Sequence, residues 1–226
     1  MAGQHDGQPL RMIAVPRRAV LVIAAVLLAL SVGLSIAAAG PGTFALDLRI
    51  TSFVQRHPFP GSRVVELVGY AVGSSAFLIP FGIIAALWLF VRRRPDMAWL
   101  FAGAVILRPL NVLLKIIIGS PRPTADQVDV LRQSSGNGFP SGHVTGTLLM
   151  AGIVFFLAPR LAGSRRGVLL LRVLAALAVL ATSYSRIVSG AHWPSDVLGG
   201  LLWGGVQLLA LVAVVGWLSR RAMARS

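Results

Sequence analysis

The chain has 226 residues, no cysteine, 56% hydrophobic residues and a formal net charge of +14 at pH 7, with a mean hydropathy of +0.79. This length gives room for one domain, and the apolar content exceeds the soluble range, so the chain reads as an integral membrane protein. Lack of cysteine excludes disulfides and thiolate chemistry, the scattered carboxylates disfavour a metal centre, and arginines set between apolar runs disfavour a nucleic-acid partner.

Residues 1–18 form a polar segment with Arg11, Arg17 and Arg18, expected in the cytoplasm. The apolar run from about Ala19 to Ala39 can cross a hydrocarbon layer of about 30 Å as a helix. It is longer than the roughly 7 to 15 residues of a signal-peptide core. An uncleaved first span is therefore preferred over a signal peptide cut near Ala37-Ala38-Ala39.

Pro41, Pro58, Pro60 and Gly61 punctuate the next segment, Gly40 to Ser62. Between them Leu46, Ile50, Phe53 and Val54 recur at helical spacing, opposite Asp47, Arg49 and Gln55. The pattern fits a short helix lying on the outer surface, or an ordinary structured loop.

A second span is predicted from about Val64 to Val91, closed by Arg92-Arg93-Arg94-Pro95-Asp96, and a third from about Met97 to Ile118. In the third, Arg108, Asn111 and Lys115 are spaced i, i+3, i+7 and share one helix face. Ionisable groups inside a span cost several kcal/mol unless they face protein or water, so this stripe should point into the bundle. Arg108 and Asn111 fit a polar network that fixes helix packing, with a functional role left open, whereas Lys115 lies near the outer end.

Gly119 to Phe139 is a loop rich in Gly, Pro, Ser and Asp. The fourth span runs from about Ser141 to Ala158, the fifth from about Val168 to Val188 and the sixth from about Asp196 to Leu218. On the sixth, Gly200 and Gly204 form a small-xxx-small pair suited to packing within the bundle. With both termini inside, twelve arginines fall on the cytoplasmic side (Arg11, Arg17, Arg18, Arg92–Arg94, Arg160, Arg165, Arg166, Arg220, Arg221, Arg225) and six outside (Arg49, Arg56, Arg63, Arg122, Arg132, Arg186). This bias sets the orientation.

Three polar segments then share the outer face. In Pro140-Ser141-Gly142-His143, a helix start with open amides and a serine hydroxyl suits an anion such as phosphate. Lys115-x6-Arg122-Pro123 adds two cations, and Arg122 can grip phosphate oxygens with two parallel hydrogen bonds. In Ser185-Arg186-x5-His192-x3-Asp196 the carboxylate can accept from one ring nitrogen of His192 and leave the other free to attack. Arg186 can reach the same oxygens.

Taken in order, Lys-x6-Arg-Pro, Pro-Ser-Gly-His and Ser-Arg-x5-His-x3-Asp resemble the three-part signature of the type 2 phosphatidic acid phosphatase (PAP2) superfamily, which includes membrane lipid phosphatases and vanadium haloperoxidases. The resemblance covers about residues 95 to 210. Ser120 departs from it, since many relatives carry a further arginine there.

The resemblance implies an all-α polytopic membrane protein with six transmembrane helices in a PAP2/haloperoxidase-like bundle. The domain would occupy residues 19–218, followed by a basic cytoplasmic tail, 219–226. His192 would attack phosphorus to form a phosphohistidine, oriented by Asp196. His143 would protonate the leaving oxygen and then activate water. Lys115, Arg122, Ser141, Gly142 and Arg186 would hold the phosphoryl oxygens, with no metal and no cofactor. The expected reaction is hydrolysis of a lipid phosphate or diphosphate at the outer face of a bacterial inner membrane. Undecaprenyl diphosphate is the first candidate, with phosphatidylglycerophosphate and phosphatidate beside it. The rival readings are a lipid phosphotransferase using the same site, and a non-catalytic transporter or scaffold.

Overall fold

The computed structural model describes residues 17–40 and 42–224. Most of the expected N-terminal segment, including Arg11, lies outside the described residues, as do Pro41 and Arg225. Among the described residues the chain forms nine helices: α1 (Arg17–Ala38), α2 (Ala45–Arg56), α3 (Ser62–Gly73), α4 (Ser75–Val91), α5 (Pro95–Ile106), α6 (Arg108–Ile118), α7 (Gly142–Leu161), α8 (Arg165–Val188) and α9 (Pro194–Met223). By length and apolarity α1, α5 with α6, α7, α8 and α9 can each cross a membrane, and α3 with α4 make a sixth crossing when taken as one bent span. The all-helical, multi-pass architecture expected from the sequence is present.

Two predicted spans are not continuous helices. The second bends by 53° between α3 and α4. There Gly73 is followed by Ser74, whose extended backbone and side-chain oxygen cap α4 by accepting from the Phe77 N–H at 3.2 Å. The third is interrupted at Leu107. Pro109 has no N–H to return to the carbonyl of Val105, so the hydrogen-bond ladder cannot run through it.

α7 is the central helix. It packs against α3, α4, α5, α6, α8 and α9, and 56% of its most apolar window is buried against 11% for α1 and α8. Gly200 and Gly204 of α9 allow this closeness: a Cβ on Gly200 would lie 2.9 Å from the Ser141 carbonyl oxygen, and one on Gly204 would lie 3.0 Å from Leu148. The small-residue pair thus packs within the bundle. Leu78, Met97, Leu100, Phe101, Ile153, Leu157 and Leu211 form the main core between α4, α5, α7 and α9. The polar segments gather at the opposite end of α7. Ile84, Val91 and Ile117 point outward with 66%, 80% and 70% of their surface exposed, as lipid-facing side chains do.

The segment from Leu46 to Gln55 is a helix, α2, and its polar stripe is the side turned to the protein. Asp47 and Thr51 are buried, while Leu46 and Phe53 are exposed. An apolar face turned away from the bundle is the disposition of a helix lying at a membrane interface.

Candidate active site

The turn between α8 and α9 carries the central pair. Gly190 makes this turn with φ of +63°, and its missing side chain lets the Asp129 carbonyl oxygen approach closely. His192 follows, its N–H donating to the Arg186 carbonyl at 3.1 Å. Pro194 starts α9, so Asp196 stands in the first helical turn, where its Oδ2 accepts from the Trp193 N–H at 3.1 Å. The same oxygen lies 3.0 Å from Nδ1 of His192. Both side chains are buried.

The other ring nitrogen of His192, Nε2, is 3.1 Å from Nη1 of Arg122. A guanidinium only donates, so Nε2 is the acceptor and the proton resides on Nδ1, facing Asp196. Burial, reinforced by the charges of Arg122, Lys115 and Arg186, pushes His192 well below its ordinary pKa. The imidazole is therefore neutral, with its Nε2 lone pair on the Arg122 side.

Arg122 is held by the loop after α6. Its Nε donates to the Gly136 carbonyl at 2.8 Å, and Nη1 also donates to the Ala191 carbonyl at 2.6 Å. Lys115, from the last turn of α6, donates to the carbonyls of Asn137 and Gly138, both at 2.8 Å. Asn137 returns a hydrogen bond to the Lys115 carbonyl at 2.9 Å. Between Lys115 and the helix break, the Asn111 amide donates to Thr145 at 3.2 Å.

Lys115, Arg122, Gly142, His143 and His192 line one cavity of about 730 Å³, together with Arg108, Asn111 and Ser75. The stripe Arg108, Asn111, Lys115 therefore points inward, as its spacing predicts. Ile79, Val105, Val112, Leu113 and Ile116 complete the wall, and Val112, Leu113 and Ile116 are exposed on the outside of α6. The cavity thus reaches a lipid-facing rim as well as the polar cluster.

Ser141 and Arg186 are buried behind this wall. Ser141 occupies the N-cap position of α7, yet its hydroxyl makes no capping bond and has no hydrogen-bond partner among the described residues. Nε of Arg186 is likewise without one, while its Nη2 donates to the Ser185 hydroxyl at 3.1 Å. His143 stacks on Tyr70, with ring centroids 5.8 Å apart. Arg132 and Arg186 also lie over the Tyr70 ring, at 3.9 and 4.9 Å.

Four residues that matter to this geometry were not read from the sequence as part of the site. Glu66, buried on α3, pairs with Arg132 and Arg63, each at 2.8 Å. Tyr70 stands one turn further on and supports the His143 ring. Asp47 accepts two hydrogen bonds from Ser195, next to Asp196. Gln55 donates to the Asp129 and Val188 carbonyls at 2.7 and 3.1 Å. The i, i+4, i+8 stripe Asp47, Thr51, Gln55 carried a readable signal, because a polar row on an amphipathic helix must face something polar.

A helical membrane bundle with a histidine–carboxylate pair and converging cations is an arrangement for phosphoryl chemistry. The PAP2 superfamily profile matches residues 96–220, and the chain belongs to that superfamily. It is 30% identical over 145 residues to undecaprenyl-diphosphatase BcrC of Bacillus subtilis, covering 62% of this chain and 67% of that protein. It is 30% identical over 140 residues to phosphatidylglycerophosphatase B of the same organism, covering 59% and 65%. The chain thus spans about two thirds of the length of these curated relatives. The crystal structure of a transmembrane PAP2 type phosphatidylglycerolphosphate phosphatase from Bacillus subtilis matches with a TM-score of 0.71 and 25% identity, over 88% of this chain and 96% of that one. Within the superfamily, this chain is a membrane phosphatase.

Proposed function

We propose that the protein hydrolyses a lipid phosphate or diphosphate through a phosphohistidine, without a metal ion, at the extracytoplasmic face of a bacterial inner membrane. The observation that carries this reading is His192, held by Asp196 at Nδ1 and paired with Arg122 at Nε2 on the wall of a cavity whose rim includes the exposed apolar side chains of Val112, Leu113 and Ile116. One domain, residues 19–218, does this work, with both termini and the tail 219–226 in the cytoplasm. The twelve-to-six arginine bias supports that orientation.

The substrate's phosphoryl group enters among Lys115, Arg122 and the Gly142 amide. Arg122 exchanges its bond to Nε2 for the phosphoryl oxygens, which frees the lone pair. Nε2 attacks phosphorus, the bond from phosphorus to the leaving oxygen breaks, and His143 gives that oxygen a proton. The Nδ1 proton stays shared with Asp196, which offsets the positive charge growing on the ring. Water then gives a proton to His143 and attacks phosphorus, the N–P bond breaks, and inorganic phosphate leaves. The unpartnered Ser141 hydroxyl and Arg186 Nε supply further donors to the charge spread over the equatorial oxygens.

Undecaprenyl diphosphate is the first candidate, followed by phosphatidylglycerophosphate and phosphatidate. The polyprenyl substrate in the name of the Bacillus subtilis diphosphatase and the phosphatidylglycerophosphate in that of the phosphatase B support these choices. A lipid phosphotransferase would use the same intermediate, with an alcohol in place of water. A phosphate-release screen over the three lipids, with His192→Ala as control, tests the proposal. Release by the intact protein and none by the variant is expected, and equal release by both would overturn the mechanism.

A further inference from the structure

The two interrupted spans break where they face each other. α4 starts at Ser75 and α6 starts at Arg108, and Nη2 of Arg108 donates to the Ser75 hydroxyl at 2.5 Å. Non-helical backbone at membrane depth is tolerated where it lines a protein or water-filled cavity, and both residues line the cavity that holds His143 and His192. Arg108 stands seven residues before Lys115, about 10 Å deeper along the helix at 1.5 Å per residue. Among the described residues no carboxylate pairs with it. Its Nη1 packs against Gly146, where an added Cβ would collide with the guanidinium. Gly146 lies one turn beyond His143, so Arg108 is on the side of the site where His143, in the reading above, protonates the leaving oxygen.

Resting on the lipid phosphatase reading above, we infer that Arg108 binds a second phosphoryl group, carried on the leaving side of the substrate. A permanent cation at this depth, with a neutral hydroxyl for a neighbour, lacks a counter-charge. A substrate that carries another phosphate on its leaving side supplies one as it binds. In a lipid diphosphate the two phosphorus atoms share an oxygen; in phosphatidylglycerophosphate a glycerol separates them. Arg108 thereby selects doubly phosphorylated lipids over monophosphates. With a diphosphate it also stabilises the charge left on the departing phosphate when the P–O bond breaks.

The test compares kcat/KM of the full chain and its Arg108→Gln variant on a prenyl diphosphate, the prenyl monophosphate with the same tail, phosphatidylglycerophosphate and phosphatidate. Loss of a charge-assisted hydrogen bond predicts a fall of about 10- to 100-fold on a doubly phosphorylated lipid. The fall on the monophosphates should be several-fold smaller. Selective loss on the prenyl diphosphate assigns the subsite to two phosphates sharing an oxygen, and selective loss on phosphatidylglycerophosphate assigns it to the glycerol-linked pair. Equal proportional loss on mono- and diphosphates, or no loss, overturns the inference. If Arg108→Gln does not accumulate in membranes, Arg108→Met, which removes the charge and keeps an unbranched apolar stem, is read by the same ratio, and an unchanged ratio overturns it. Absence of phosphate release by the unmodified protein from every lipid would instead remove the phosphatase mechanism, and the subsite with it.

Discussion

Asp47 and Ser195 lie 148 positions apart and are joined twice: the Ser195 N–H donates to Oδ1 at 2.8 Å and its hydroxyl to Oδ2 at 2.5 Å. Asp47 thereby acts as an N-terminal anchor for α9, supplied by a different helix. Burial pushes its carboxyl above the usual carboxylate range, against the opposing effect of these two hydrogen bonds. Asp196 is the next residue after Ser195, so the anchor positions the carboxylate that orients His192. Asp47→Ala should lower kcat by about 10- to 100-fold with KM nearly unchanged, as expected for a small misplacement of reacting groups. Steady-state kinetics check this, and a change confined to KM would contradict it.

Removing the orienting charge should cost more. Asp196→Asn keeps the size of the side chain but can present an amide to Nδ1, which forces the other tautomer and places a proton on Nε2. A fall in kcat of about 10³- to 10⁴-fold is expected, the scale seen when a histidine loses its orienting aspartate. Radiolabelled substrate should leave a protein-bound phosphate, stable in alkali and lost in acid, in the unmodified protein. The His192→Ala variant should carry none.

The acidic limb of kcat/KM should lie below about pH 6.5, the ordinary value for a histidine, because burial and then the charges of Arg122, Lys115 and Arg186 lower the His192 pKa. Neutral His192 is the active form, so activity falls as pH drops through the lowered value. Arg122→Gln removes one of those charges and should shift the limb toward higher pH, apart from any loss of rate. The unfolded chain binds a proton at His192 before the folded one does. The stability contributed by this group is therefore full above about pH 6.5 and lost below it. Rate profiles and thermal unfolding between about pH 4 and 8 give both readouts, and a limb at or above the ordinary histidine value would contradict the first.

Vanadate, which adopts the five-coordinate geometry of phosphoryl transfer, should inhibit competitively, while EDTA should leave the rate unchanged. Loss of activity in EDTA with recovery on adding magnesium would show that the cations gathered by α6 and its loop are not sufficient.

The apolar runs made the membrane spans readable, and the three polar segments made the site readable, because both are local patterns. The breaks inside two spans were harder to see. Pro109 marks one by removing an N–H, but Gly73 and Ser74 act through a cap that matters only once α3 has packed against α8. The roles of Glu66, Asp47 and Tyr70 depend on partners dozens of residues away, to which no periodicity points. The inward direction of Arg108 followed from its i, i+3, i+7 spacing with Asn111 and Lys115. Its pairing with Ser75 needed the three-dimensional arrangement, because the two residues belong to separate spans.

The rim of Val112, Leu113 and Ile116 sets how substrate supply should be counted. Molecules that arrive through it are drawn from a two-dimensional solution, so the variable that governs occupancy is the mole fraction of substrate in the bilayer rather than its bulk molarity. Diluting a fixed amount of substrate with inert phospholipid should slow turnover, whereas adding buffer at constant lipid composition should not.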